Sequence, residues 1–133
     1  METLSDVFFC YEQIQDQYWY ALYGDFKFVV DRNTNWFNAT KLCRDCGRRF
    51  GDWLKIEEGK SLIMYYHKKG VISNLEKPFI EVETKTEDVG EIISGTYVPH
   101  QFILAVTMWL SPKFGNEVYK ILNSRFECEK KQT

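Results

Sequence analysis

Apolar residues recur at helical spacing in the middle of the chain. A stripe at i, i+3, i+4 and i+7 predicts an amphipathic helix. The stripe consists of Ala39, Leu42, Cys43 and Cys46. Asn38 precedes it as a good N-cap, because its side-chain oxygen can accept from free N–H groups of the first turn. Gly47 follows, where a glycine can end a helix in a left-handed conformation.

A second apolar stripe begins directly after this glycine. Phe50, Trp53 and Leu54 repeat the i, i+3, i+4 spacing, which predicts a second short helix joined to the first by a tight turn. This is the helix-turn-helix pattern, in which the second helix can enter a DNA major groove. We expect Leu42, Phe50 and Trp53 to be structural residues that hold the two helices at their crossing angle.

Two β-hairpins flank the helical unit in the predicted order. The first joins residues 17–23 to residues 26–30 through the Gly24-Asp25 turn. Trp36-Phe37 then enters the first helix, and residues 1–15 indicate a short strand or helix packed on the core. The second hairpin joins residues 78–84 to residues 92–98.

The second hairpin occupies the position of the wing in a winged helix, an element that commonly contacts DNA. Its tip, residues 85–91, carries three carboxylates and one lysine. Because carboxylates beside phosphates weaken binding, we expect this wing either to tilt away from DNA or to bind something else.

Three further helices complete the prediction. One restarts after a break at Gly59-Lys60-Ser61 and ends at Lys68-Lys69-Gly70. The next spans residues 100–110, and the last begins at Ser111-Pro112. The apolar stripe of the last helix consists of Phe114, Val118, Ile121, Leu122 and Phe126. The chain is therefore assigned to the α+β class.

The same pattern sets the domain boundaries. We assign residues 1–16 to an N-terminal extension, residues 17–126 to one domain and residues 127–133 to a polar tail. With 44% hydrophobic and 17% aromatic residues, 133 residues suffice for a real core. The apolar runs are too short to span a bilayer, and the N-terminus does not resemble a signal peptide. These features predict an intracellular protein with no membrane partner.

The C-x-x-C pair Cys43 and Cys46 invites a zinc or redox interpretation. A structural zinc ion needs two more ligands, and neither Cys10 nor Cys128 has a close ligand neighbour. Both cysteines fit the buried stripe, which favours core packing. The chain also lacks a glycine-rich phosphate loop and a nucleophile with a nearby base. No metal, cofactor or catalytic residue is predicted.

Positive charge is concentrated on the two-helix unit, although the net charge of the chain is −2. Residues 41–70 hold eight basic and four acidic side chains, whereas residues 1–40 and 71–110 each hold two basic and six acidic ones. Local field matters more than total charge for phosphate contacts. The predicted DNA-binding residues are Lys41, Arg44, Arg48, Arg49, Lys55 and Lys60. One of Arg48 and Arg49 is predicted to contact guanine in a bidentate manner.

Four ordered motifs resemble the KilA-N domain of phages and large DNA viruses. They are residues 36–43 (WFNATKLC), 47–54 (GRRFGDWL), 95–99 (GTYVP) and 109–114 (WLSPKF). The resemblance covers about residues 17 to 126, and the KilA-N domain is similar to the fungal APSES DNA-binding domain. It implies a winged-helix-like fold, a viral origin and binding of double-stranded DNA through the two-helix unit and the hairpin. The acidic hairpin departs from the basic or Gly/Gln-rich wing of the fungal relatives.

The sequence also allows partners other than duplex DNA. RNA or single-stranded DNA could stack on the aromatic hairpin at residues 17–30. The acidic wing and the net charge suit a protein-interaction module that keeps the KilA-N fold, and a homodimer is a further candidate assembly. A viral origin places the protein inside the infected host cell, in a cytoplasmic viral factory or the nucleus.

Overall fold

The computed structural model describes residues 9–23 and 26–113, together with residues 116 and 120. Within these residues it contains six strands and five helices, so the predicted α+β class is confirmed. The strands are β1 (Phe9–Gln15), β2 (Tyr18–Tyr23), β3 (Phe26–Asp31), β4 (Trp36–Asn38), β5 (Ile80–Val82) and β6 (Gly95–Val98). The helices are α1 (Ala39–Asp45), α2 (Phe50–Lys55), α3 (Glu57–Lys68), α4 (Gly90–Ile93) and α5 (His100–Leu110).

All six strands form one antiparallel sheet in the order β1-β2-β3-β4-β6-β5. The predicted first hairpin is β2–β3, with Tyr18 opposite Asp31 at one end. Its turn at residues 24–25 lies outside the described residues. β1 falls within residues 1–16 and pairs with β2 in the same sheet.

β4 is a strand that the sequence pattern did not predict. Trp36-Phe37 was expected to enter the first helix directly, but Phe37 pairs with Val30 on one side and with Val98 on the other. Cross-strand partners share a face of the sheet, and these three side chains are almost fully buried. Their face packs into the same core as Trp53 of α2.

The first predicted helix is confirmed, with one correction. Asn38 caps α1 by accepting from the Lys41 N–H at 3.0 Å, and Gly47 adopts a φ of +74°. Cys43 is buried as predicted, whereas Cys46 is exposed. The prediction for Cys46 was wrong because α1 ends at Asp45, which puts Cys46 at the C-cap outside the buried stripe.

The predicted chain break at Gly59-Lys60-Ser61 is also wrong. The helix breaks earlier, at Ile56, whose ψ is 158°, and α3 then runs without interruption through Gly59. Gly59 is buried, and a Cβ atom there would overlap the carbonyl oxygen of Trp53. Glycine at this position therefore permits close packing of α3 on α2 instead of ending a helix.

The second hairpin is confirmed in its pairing and corrected in its length. β5 and β6 are antiparallel, with Glu81 opposite Thr96. Ile92 and Ile93, predicted as strand, lie in α4. The Asn38 amide group donates to the carbonyls of residues 92, 93 and 94, which converge on it from a helical turn. The connection is therefore a folded segment and not a simple hairpin tip.

The C-terminal prediction is covered in part. α5 matches the predicted helix at residues 100–110, and Pro112 and Lys113 are helical. Most of the predicted last helix, including its stripe of Phe114, Val118, Ile121, Leu122 and Phe126, and the tail at residues 127–133 lie outside the described residues. None of the helices in the described part combines the length and the apolar character that a bilayer crossing requires.

Candidate nucleic-acid interface

The α1–α2 unit is fixed to the core through aromatic packing. Trp53 is fully buried and meets the Phe102 ring edge-on, with 6.2 Å between centroids. The Phe50 ring stacks on Trp53 at 5.7 Å. This packing leaves Gly51, Asp52 and Lys55 on the exposed side of α2.

Arg48 lies in the exposed turn between the helices, where it contacts the end of α5. Its guanidinium group lies 3.6 Å from the centre of the Trp109 ring and donates to the Trp109 carbonyl oxygen at 3.2 Å. Two contacts with one residue hold the turn against α5. Arg48 therefore has a structural role, which the sequence did not reveal because its partner is distant in the chain.

This contact leads to a stability prediction. Arg48→Ala is expected to lower the free energy of unfolding by about 1 kcal/mol, since it removes a partly exposed cation–π contact and a hydrogen bond. Arg49→Ala is the matched control and is expected to change it by less than about 0.5 kcal/mol. Urea denaturation followed by circular dichroism measures both. Equal effects of the two substitutions would contradict the proposed anchor.

Two more of the predicted cations are engaged by other groups of the chain. Lys41 forms an ion pair with Asp45, with 2.6 Å between Nζ and Oδ2. The Arg44 guanidinium group donates to the Glu91 carbonyl oxygen at 2.6 Å, which ties α1 to α4. Both groups therefore have a polar partner within the chain, and their prediction as phosphate contacts stays a prediction.

The remaining three predicted residues are exposed at the ends of α2 and the start of α3. Arg49 is the N-cap residue of α2, Lys55 is its last residue, and Lys60 follows in the first turns of α3. In the described part of the chain, no ion pair, side-chain hydrogen bond or aromatic ring engages their charged groups. Because a helix of six residues is about 9 Å long, Arg49 and Lys55 stand at the two ends of one short element.

The thiols of the C-x-x-C pair differ in their surroundings. Burial, with a smaller contribution from Cys46, raises the pKa of Cys43 to about 12, so this thiol stays protonated at neutral pH. Burial also raises the pKa of Cys46. Among the residues that the structure describes, no three His, Cys, Asp or Glu side chains converge on a common point.

A family model for the KilA-N domain matches residues 21–127 of the chain. The chain belongs to the KilA-N domain family. The resemblance carried by the four sequence motifs is therefore confirmed. KilA-N is a non-enzymatic kind of domain related to nucleic-acid binding. No solved structure gives a significant match to the chain.

Proteins of large DNA viruses are similar to this KilA-N chain. The putative KilA-N domain-containing protein 313L of Invertebrate iridescent virus 6 is 40% identical over 99% of the chain and 37% of its own length. The uncharacterized protein FPV248 of Fowlpox virus is 27% identical over 85% of the chain and 74% of its own length. The chain thus spans little more than a third of the iridescent virus protein.

Two of the KilA-N motifs meet in space at the N-terminus of α1. Asn38 of the first motif contacts Ser94, directly before residues 95–99, and Thr40 of the same motif contacts Thr96 within them. The Thr40 hydroxyl accepts from the Thr96 N–H at 2.9 Å, and a Cβ atom on Gly95 would overlap the Asn38 side chain. These motif residues join α1 to the sheet, so their role is to position the two-helix unit.

Proposed function

We propose that this KilA-N domain binds duplex DNA through Arg49, Lys55 and Lys60 and performs no chemistry on it. The observation that supports the proposal is the set of three exposed cations on α2 and the start of α3 that have no partner within the described residues. Phosphate oxygens take such lysine and arginine groups as ligands.

Arg49 is the residue proposed to read a base. It is exposed and stands immediately before α2, at one end of the helix that would enter the groove. The planar guanidinium group can donate to O6 and N7 of guanine together. Of the two arginines considered from the sequence, Arg48 is engaged by Trp109, which favours Arg49.

Lys55 and Lys60 are proposed to contact the DNA backbone, because an ammonium group is a point charge that suits phosphate without specifying a base. Asp52 opposes them, since its exposed carboxylate lies on the same outer side of α2 as Lys55. The affinity of this surface for DNA is therefore expected to be modest, to depend on salt and to rest on Arg49, Lys55 and Lys60. Its site of action would be viral DNA in the cytoplasmic factory or the nucleus.

The test is duplex binding measured by fluorescence anisotropy on a mixed-sequence oligonucleotide. The triple variant Arg49→Ala, Lys55→Ala, Lys60→Ala is expected to bind at least about tenfold more weakly, because three phosphate or base contacts are lost. Asp52→Asn is expected to bind about two- to fivefold more tightly, since a repulsive charge is removed.

The matched control is the triple variant Lys77→Ala, Lys85→Ala, Lys113→Ala. It removes the same charge from exposed positions outside the α1–α2 unit and is expected to lose less than about threefold in affinity. Equal losses in the two triple variants would overturn the site assignment. Stronger competition by single-stranded oligonucleotides than by duplex would favour the alternative in which the aromatic β2–β3 hairpin binds RNA or single strands.

A further inference from the structure

An open apolar groove lies between the α2–α3 helices and the end of the sheet. Its volume is about 360 Å³, and its walls include Leu54 of α2 and Ile63 of α3. Phe79 lines it from the chain segment that enters β5 and is held in place by the Phe102 ring at 5.0 Å. Leu75 lines it as well and is 49% exposed. An apolar groove with an exposed apolar rim is typical of a site that receives a side chain from a partner.

The groove runs along an open edge of the sheet. β5 is the last strand in the strand order, and within the described residues it pairs only with β6. Ile80 of β5 is 41% exposed. Side chains alternate along a strand, so Glu81 faces the groove, where it is a lining residue, while Ile80 and Val82 face the other way. An edge of this kind can accept an added strand through main-chain hydrogen bonds.

The surface around this edge is strongly acidic. Between residues 76 and 91, six exposed carboxylates are opposed by two exposed lysines, Lys77 and Lys85. The six are Glu76, Glu81, Glu83, Glu87, Asp88 and Glu91. None of them is in an ion pair within the described part of the chain. The local field therefore favours a cationic ligand and repels DNA phosphates.

We propose that the β5 edge and its groove bind an extended, lysine- or arginine-rich segment of a partner protein. The segment adds as a seventh strand beside β5 and places one apolar side chain in the groove, while its cations face the carboxylates of residues 76–91. A second copy of this chain is disfavoured as the occupant, because two β5 edges would bring like charges together. The acidic hairpin is thus a protein-docking surface and not a DNA-contacting wing.

The experiment selects random peptides displayed on phage against the whole chain, without DNA, and measures the winners by fluorescence anisotropy. The expected winners carry a net positive charge and apolar residues at alternating positions. The amides of a winning peptide are then N-methylated in alternation, and binding to the wild-type protein is measured. Methylation of the amides on the edge that pairs with β5 is expected to weaken binding at least about tenfold, whereas methylation on the other edge is expected to weaken it less than about twofold. Such alternation is expected of an added strand and not of nonspecific adhesion.

A protein variant tests the location. Leu75→Arg with Glu81→Lys replaces one apolar and one acidic side chain of the groove by cations. This variant is expected to weaken binding of the selected peptide at least about tenfold. The matched control, Met64→Arg with Glu58→Lys, makes the same changes at exposed positions of α3 and is expected to leave binding within about twofold.

The proposal would be overturned by a selection without enriched peptides, by an N-methylation scan without alternation, or by equal losses in both variants. A β5-dependent dimer of the chain would also overturn it, because the second copy would then be the occupant. Duplex binding is measured separately on the same variants and is expected to persist in Leu75→Arg with Glu81→Lys. Failure of peptide binding is therefore distinguishable from failure of the DNA-binding proposal.

Discussion

Gly59→Ala is expected to destabilise the domain by about 3 kcal/mol or more, enough to remove much of the stability of a typical domain. A Cβ atom at this position would overlap the carbonyl oxygen of Trp53, a backbone atom that no rotamer change can move. The gain in helix propensity, about 1 kcal/mol, is too small to offset this overlap. Thermal and urea denaturation followed by circular dichroism measure the change.

Gly51→Ala is the matched control, because it makes the same substitution in α2. Gly51 is exposed, and a Cβ atom there would meet nothing within 4 Å. Its replacement is expected to stabilise the domain by about 0.5 kcal/mol through helix propensity. A Gly59→Ala protein as stable as the wild type would show that the α2–α3 packing described above is incorrect.

Asn38→Ala is expected to cost about 2–4 kcal/mol in the free energy of unfolding. The Asn38 side chain is 3% exposed, caps α1 and donates to three carbonyls at 3.1 to 3.2 Å. Loss of the cap accounts for about 1 kcal/mol, and loss of the amide donor to the part-buried carbonyls of residues 92 and 94 adds about 1–3 kcal/mol, whereas the Ile93 carbonyl keeps the Tyr97 hydroxyl as its donor. Urea denaturation provides the measurement.

Asn38→Asp separates the two roles of this residue. Aspartate keeps the oxygen that caps the helix but loses the amide donor and places a negative charge against three carbonyls. We expect it to be at least as destabilising as alanine, whereas a residue that only capped α1 would tolerate it. Asn74→Ala, at an exposed turn where Asn74 accepts from the Glu76 and Lys77 N–H groups, is the control and is expected to cost about 0.5 kcal/mol. Wild-type stability in Asn38→Asp would contradict the donor role.

The elements that could be predicted are those set by local spacing. The stripes that produce α1 and α2 lie within single helices, and the cap at Asn38 acts on the next turn, so each is visible in a short window of sequence. β4 could not be predicted in this way, because three residues become a strand only through pairing with Val30 and Val98. The role of Gly59 is hidden for a related reason, since a glycine that allows close packing looks the same in sequence as one that breaks a helix.

In the candidate site, too, local sequence features could be predicted and long-range contacts could not. Sequence reasoning found the basic segment but could not separate Arg48 from Arg49, which are neighbours of the same type. The distinction depends on Trp109, which lies 61 positions from Arg48 in the chain. The acidic charge of the hairpin is visible in the sequence, whereas the groove beside it is assembled from residues of α2, α3 and β5 that no local pattern connects.

The salt dependence of duplex affinity tests the DNA-binding account most directly. A plot of log affinity against log salt concentration is expected to have a slope of about −2 for the wild type, since the phosphate contacts of Lys55 and Lys60 each contribute about −0.9. The variant Arg49→Ala, Lys55→Ala, Lys60→Ala is expected to bring the slope close to zero. An unchanged slope in this variant would mean that the phosphate contacts lie elsewhere, and would contradict the central assignment.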